Sequence, residues 1–334
     1  MNYVVFIISQ SLIFIVPLLV VALAGMFSEK SGTVNIALEG IMIIGAFFGI
    51  LFISSMQKAG HFANAPQIML LIALLIAAVS GMAFSSLLGF LAINMKANQT
   101  IGGVALNILA GALAIFMART ITTEGVSQIT FNPVFKLNAN AFPSAGSNTF
   151  LGAINSIFFK DAYLTTYLAI IILVVSSVVI YKTRFGMRLS ACGEHPHAAQ
   201  SVGINVYAYR WAGVLISGAL AGIGGLIYII PTSVSFEGSV SGYGFLALAV
   251  LIFGQWRPGR ILIAAIFFGM FQTLSVTYIG LDFIRTWMDA NPKVPIGMFF
   301  RLMPYLITMV ALAFSSKNSR APKASGIPFD PKGQ

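Results

Sequence analysis

Charge is what this sequence has least of. Only 8% of its 334 residues are Asp, Glu, Lys or Arg, where soluble globular domains carry about a quarter. With 58% hydrophobic residues and a mean hydropathy of +0.91, that scarcity excludes a water-soluble domain. The single cysteine, Cys192, excludes an internal disulfide and says nothing about metal. Three histidines are present, His61, His195 and His197, and all lie outside the apolar runs. There is no H-E-x-x-H, no G-x-S-x-G and no glycine-rich stretch ending in Lys-Ser or Lys-Thr, so zincin, serine-hydrolase and P-loop nucleotide chemistry have no foothold. No catalytic constellation, metal site or cofactor motif is visible, and the chain reads as a non-enzyme. Acidic residues are the scarcer sign, 9 against 19 basic, for a net charge of +10. In a soluble protein that excess would suggest nucleic acid; here membrane topology is the first explanation to try.

What is present is a series of long apolar runs, not the ten-residue alternation of a membrane barrel, so the fold class is all-α, a polytopic integral membrane protein. The first run lacks a basic start and a small-residue cleavage site, so it reads as a retained span rather than a signal peptide. The runs place spans at 4–25, 34–54, 67–93, 101–118, 162–181, 209–230, 241–255, 261–280 and 300–316. Segment 241–255 is too short for a straight crossing of ~30 Å at 1.5 Å per residue, so a broken or re-entrant helix is expected and the count is nine to ten. With the amino terminus outside, twelve of the 19 Lys and Arg residues fall inside and seven outside, the latter spread over long loops. The positive-inside rule then accounts for the basic excess without nucleic acid. Residues 1–316 form the transmembrane domain. Loop 119–161 is external, long enough for a lip or plug, and loop 182–210 is cytoplasmic. The tail, 317–334, is polar with three prolines and is expected to be extended and cytoplasmic.

Few polar side chains enter the spans. Asn35 and Glu39, four residues apart, share one helix face. A carboxylate there costs ~2.5–3.5 kcal/mol on insertion scales, so Glu39 either meets a solute or gating path or is satisfied by a neighbouring helix or by water at the inner surface. Asn107 lies centrally in the stripe Gly103, Asn107, Gly111, where it either bonds a polar solute or joins two helices. Gly213, Ser217, Ala221 and Gly225, with Gly218 and Gly222 beside them, mark a close-packing seam. The stretch 236–259 is punctuated by glycine at both ends, and a weak likeness between 40–50 and 242–254 hints at an internal repeat.

The longest polar interruption with helical character is YKTRFGMRLSACGEHPHAAQSVGINVYAYRW, Tyr181 to Trp211. Gly193 and Glu194 can open a short helix, Pro196 suits its first turn, and Gly203 can close it in a left-handed cap. Ala198 and Ala199 give it little bulk. It is either a docking helix on the membrane face or a plain solvated connection.

Four blocks in order decide between these: SGTVNIALEGIMIIGAFFG, KANQTIGGVALNILAGAL, TRFGMRLSACGEHPHAAQSVGINVYAYRWAGVLISGALAGIGG and APKASGIPFDPKG. Together they resemble the branched-chain amino acid, ribose and nucleoside permease family of ABC importers, and within it the shorter permease of bacterial nucleoside (guanosine-type) importers. The resemblance implies a fold of roughly ten helices in a bacterial cell membrane. It implies a second homologous permease, a cytoplasmic ABC ATPase and an extracellular substrate-binding lipoprotein as partners, with a nucleoside as solute; simple sugars and branched-chain amino acids are the family's other solutes. The family's glutamate-alanine-alanine-glycine coupling motif maps onto Glu194, Ala198, Ala199 and Gly203, with Gly193 before it; three residues, Pro196 among them, separate the Glu from the alanines. Asn35, Glu39 and Asn107 remain pathway candidates read from position alone. The rival from another class is an ion-coupled secondary transporter with Glu39 as proton carrier.

Overall fold

Hydrocarbon offers no partner for backbone N–H and C=O groups, so a chain this apolar satisfies them within helices. The computed structural model describes residues 3–62, 64–122, 125–138, 155, 157, 159–280, 284–287, 296–315 and 321–331. In chain order its helices are α1 (Tyr3–Lys30), α2 (Leu38–Lys58), α3 (Pro66–Gly89, extended by the π turn Phe90–Asn94), α4 (Gln99–Ile121), α5 (Leu164–Lys182), α6 (Arg184–Glu194), α7 (Pro196–Ser201), α8 (Val206–Thr232), α9 (Tyr243–Phe253), α10 (Pro258–Thr277) and α11 (Ile296–Ser315). Local chemistry sets several starts. Proline opens α3 and α10, where its missing N–H is no loss. The side chains of Asn98 and Asn205 cap α4 and α8.

Seven helices among the described residues are long and apolar enough to cross a membrane: 5–30, 38–58, 66–94, 99–121, 164–182, 206–232 and 258–280. The chain is a multi-pass integral membrane protein, but the expected nine to ten crossings are not what these residues give. Segment 241–255 forms only the 11-residue α9, about 16 Å long, and segment 300–316 falls in α11 with Ser316 outside the described residues.

Helix α8 is the hub, packed along α1, α2 and α3, while α10 packs on α1 and α11 on α10. Close approach comes from the seam of small residues. Gly222 lies against Ala77 and Gly81 of α3 and opposite Gly45 of α2, and Gly225 lies on the backbone of Met42. The order from Asn35–Ser217 to Gly49–Leu226 runs α8 parallel to α2, and the order from Gly218–Ser85 to Gly222–Ala77 runs it antiparallel to α3. The outer helices α3, α4 and α5 turn large apolar side chains outward, among them Leu75, Ile108, Phe116 and Ile171, as lipid-facing surfaces do.

Two helices start inside the bundle after a short non-helical stretch of chain. After α1 the chain turns back through residues 31–37, and Asn35 already lies beside Ser217, eleven residues and ~16 Å into α8. Helix α2 therefore starts deep in the bundle. The segment after α8 does likewise. Strand β4 (Ser235–Phe236) pairs antiparallel with β1 (Ile129–Thr130), where the chain beyond α4 folds over the far end of α2, Gln57 and Asn132 bonding each other reciprocally. From there the chain runs inward to α9 and comes out beside Glu29, near the end of α1. A second antiparallel pair joins β2 (Lys136–Asn138) to β3 (Lys160–Tyr163). Residues 139–154, the middle of the expected lip or plug, lie outside the described residues.

A side chain at Gly222 has nowhere to go, because its Cβ would strike the Ala77 carbonyl. Gly222→Val is expected to destabilise the chain by at least ~1–3 kcal/mol through overpacking, read as a lower melting temperature in detergent. An unchanged melting temperature would contradict the seam.

Candidate functional site

The first four N–H groups of a helix have no partner inside it, and a helix that starts deep in a bundle cannot use bulk water. Both interior starts are closed by side chains. Asn107 of α4 accepts from the Gly40 N–H through Oδ1 (2.8 Å) and donates from Nδ2 to the Ile36 carbonyl (2.9 Å), so one amide fixes the start of α2. The buried Glu39, in the first turn of α2, accepts from the N–H groups of Gly242 (2.8 Å) and Gly244 (2.6 Å), one with each oxygen, and so caps α9. A negative charge at a helix N-terminus is favourable. Gly244 admits that approach, since a Cβ there would lie 2.9 Å from the Cβ of Glu39. Asn35 is fully buried and donates to Ser217 Oγ (2.8 Å); its Oδ1 has no hydrogen-bond partner. Asn35, Glu39 and Asn107 are thus brought together around one helix start.

The other end of α9 is held by a second carboxylate, Glu29, which sequence reasoning missed. Gln255 and Trp256 both have positive φ, 52° and 54°, a conformation that disfavours bulky side chains. Trp256 Nε1 donates to Glu29 Oε2 at 2.6 Å, buried, tying this turn to α1.

The corner between α5 and α8 lies at the end of the bundle, apart from the interior starts. Thr183 caps α6 by accepting from the Gly186 N–H (3.1 Å). Glu194 closes α6 instead of opening the next helix, so the short helix expected from Gly193 and Glu194 up to Gly203 is the six-residue α7. It ends as the sequence suggests. Gly203 has φ +82°, the Ile204 N–H donates to the Ala199 carbonyl (3.1 Å) and the Gly203 N–H to the Gln200 carbonyl (2.9 Å), a left-handed cap. Glu194, Ala198 and Gly203 are exposed, as is Val202 at 74%. Ala199 points the other way, buried with Cys192, Val206 and Phe329, so its small size serves packing inside the chain. Gly193 is buried with its backbone against the Lys30 carbonyl. Burial pushes the Cys192 thiol up to about 11, against the opposing pull of the Arg210 charge; Cys192 is therefore unsuited to report sidedness by labelling.

Two further features of this corner escaped the sequence reading. Arg210, in the first turns of α8, is 1% exposed; its Nη1 donates to the Ile327 carbonyl (2.9 Å), while Nε and Nη2 have no hydrogen-bond partner. The polar tail lies along the corner at 321–331 with Phe329 buried. The only available signal was an aromatic among the three prolines of an otherwise polar tail.

An open apolar groove of about 630 Å³ runs along α2, α3 and α4, lined by Ile44, Phe48, Leu75, Val79 and Met117 among others. It offers almost nothing to a polar solute.

The profile of the family described as branched-chain amino acid transport system / permease component matches residues 7–312. The guanosine ABC transporter permease protein NupQ of Bacillus subtilis is 39% identical over 97% of this chain and 96% of its own. The nucleoside ABC transporter permease protein NupC of Lactococcus lactis is 37% identical over the same shares, 97% and 96%. A second permease of that organism, named nucleoside ABC transporter permease protein NupB, is 29% identical over 77% of this chain and 69% of its own. No solved structure matches the chain.

Glu39→Gln keeps the shape but sets an amide donor against a backbone donor, leaving one N–H of α9 without an acceptor. The expected cost is ~1–3 kcal/mol, seen as a lower melting temperature of the purified chain. If Glu39→Gln leaves stability untouched and alters only the apparent affinity for solute, the capping role is wrong.

Proposed function

The chain belongs to the branched-chain amino acid transport system permease family, and from that premise we propose that it is the membrane subunit of an ATP-driven ABC importer for nucleosides in a bacterial cell membrane. The observation that carries the solute class is likeness along nearly the whole chain to two permeases named for guanosine and nucleosides. A second, homologous permease completes the membrane unit, in keeping with the two nucleoside permeases of one organism among its relatives. A cytoplasmic ATPase and an extracellular capture lipoprotein are its other partners. This chain makes and breaks no covalent bond.

In this reading residues 182–210 face the cytoplasm and residues 119–161 the outside. The ATPase takes hold of the corner through the exposed side of α7, with Glu194, Ala198 and Gly203 at the contact, while Gly193 and Ala199 seat that helix on the bundle. Motion enters α8, which begins at Val206 just beyond α7, and reaches the interior starts through the Ser217–Asn35 bond. Asn35 and the adjoining break line or adjust the solute path. Glu39 has both oxygens engaged by α9, which favours a positioning role over proton carriage and argues against the ion-coupled rival. Because that carboxylate also occupies the positive end of α9, the path suits a neutral solute such as a nucleoside better than a nucleotide.

Vesicles holding the assembled importer test the solute class. Uptake of labelled guanosine is expected to be competed by unlabelled nucleosides and not by glucose, leucine or GMP. Competition by glucose or leucine at equal concentration would reassign the substrate.

Docking is tested by two neighbouring substitutions that the burial pattern separates. Ala198→Trp is expected to leave the melting temperature unchanged and weaken ATPase association ten- to a hundredfold, the equivalent of ~1.4–2.8 kcal/mol. Ala199→Trp overpacks the interior and is expected to lower the melting temperature. An Ala198→Trp chain that binds the ATPase normally would make the corner a plain connector.

A further inference from the structure

We propose that residues 321–331 form a strap that seats α7 on the bundle, with Phe329 as the residue that positions this helix for coupling. The inference rests on the importer reading above and adds to it a part of the chain far from the coupling motif in sequence.

The strap is bound at successive points along the corner. The Ala324 N–H donates to the Gly193 carbonyl (2.8 Å), joining the strap to the end of α6. The Gly326 N–H donates to the Gly32 carbonyl (3.2 Å), joining it to the turn after α1. The Ile327 carbonyl accepts from Arg210 in α8, and Asp330 pairs with Lys96 between α3 and α4 at 3.2 Å. That last pair is exposed and contributes little energy by itself. Its value is as a marker of where the strap ends.

Between these anchors the ring of Phe329 is 4% exposed. Its centroid lies 5.2 Å from the ring of His197 in α7 and 5.5 Å from that of Tyr207 in α8. The Arg210 guanidinium carbon is 5.8 Å from the ring centre, within the range of a cation–π contact. Phe329 thus fills the space between α7 and the first turns of α8.

Helix α7 needs such a support. Six residues make less than two turns, and an isolated helix of that length is not stable in water. Its sole buried side chain is Ala199, which packs in the same small cluster as Phe329. A push or pull on the exposed face of α7 therefore reaches α8 through the peptide link 202–205 and through Phe329. The link contains Gly203, whose backbone lacks a Cβ and so deforms more easily than that of other residues. The ring adds a stiff aromatic contact to the small one that Ala199 makes in its cluster with Val206. Without the ring, α7 can still hold the ATPase but yields when the ATPase moves.

The test uses the assembled importer in vesicles with Phe329→Ala, Phe329→Leu and a chain ending at Arg320. Pairing with the second permease, ATPase association, ATP hydrolysis and solute uptake are measured on each. The expected result for Phe329→Ala and for the shortened chain is normal pairing and ATPase association, ATP hydrolysis within twofold of the parent, and uptake at saturating solute at least tenfold lower, with the apparent KM unchanged. ATP consumed per solute imported then rises at least fivefold, a readout that simple loss of folded protein would not move. Phe329→Leu, which refills most of the volume, is expected to restore at least half of the uptake. Unchanged coupling in both Phe329→Ala and the shortened chain overturns the proposal. So does loss of pairing or insertion in all three variants, which would make the strap a stability element. A parent complex that shows no ATP-driven uptake refutes the importer reading instead, which keeps the two failures distinct.

Discussion

A helix that begins in the middle of a membrane protein leaves N–H groups that neither lipid nor bulk water can satisfy, and the interior of this chain is arranged around two such starts. Asn107 closes the first and, with one amide, also holds the carbonyl before it. Helix α2, fixed in this way, carries Glu39, whose two oxygens close the start of α9. The caps are in series, so a displacement of α4 or α2 is felt at α9. Where the two capped helices meet, Asn35 joins them to α8. Three polar side chains that a membrane span can hold only at a cost meet here, Asn107 and Glu39 bonded to backbone and Asn35 to the Ser217 hydroxyl.

From this point a physical path leads to the corner at the end of the bundle. Helix α8 is seated on α1, α2 and α3 by glycine contacts too close to permit sliding, so it behaves as one body with them. Its first turns carry Arg210, a guanidinium taken out of water without a carboxylate among its hydrogen-bond partners. Desolvating a charge is costly unless it is paired or bonded. A tail carbonyl and the face of an aromatic ring offset part of that cost. The tail is thereby tied to the one position in α8 where its removal would expose a poorly satisfied charge.

The sequence made much of this legible, though unevenly. Helix positions followed from apolar runs, because a 20-residue hydrophobic stretch has few other solutions, and the short segment 241–255 fell where an 11-residue helix stands. The seam around Gly222 was readable because small residues four apart have one common use in membranes. The left-handed turn at Gly203 followed from residue type. The direction in which Ala199 points did not, because a six-residue helix gives no periodic pattern from which to read its inner face. The partners of Glu39 and Asn107 were not readable either. They lie 203 and 67 residues away in the chain, and one sequence carries no record of such pairings. The docking of Phe329 beside Arg210 was hidden for the same reason.

An importer driven by ATP and a carrier driven by an ion gradient make opposite demands on this architecture. The first needs a rigid seam and an external grip, and the second a buried carboxylate free to change its proton. With Glu39 bound by two backbone amides and α7 presented at the surface, the account favours the first. The most direct measurement is guanosine uptake by sealed vesicles containing the chain with its second permease, ATPase and capture protein, with ATP supplied on the ATPase side while proton and sodium gradients are collapsed. The account predicts uptake that persists without the gradients and vanishes without ATP or the ATPase. Uptake by vesicles holding this chain alone, driven by an imposed ion gradient and indifferent to ATP, would contradict it.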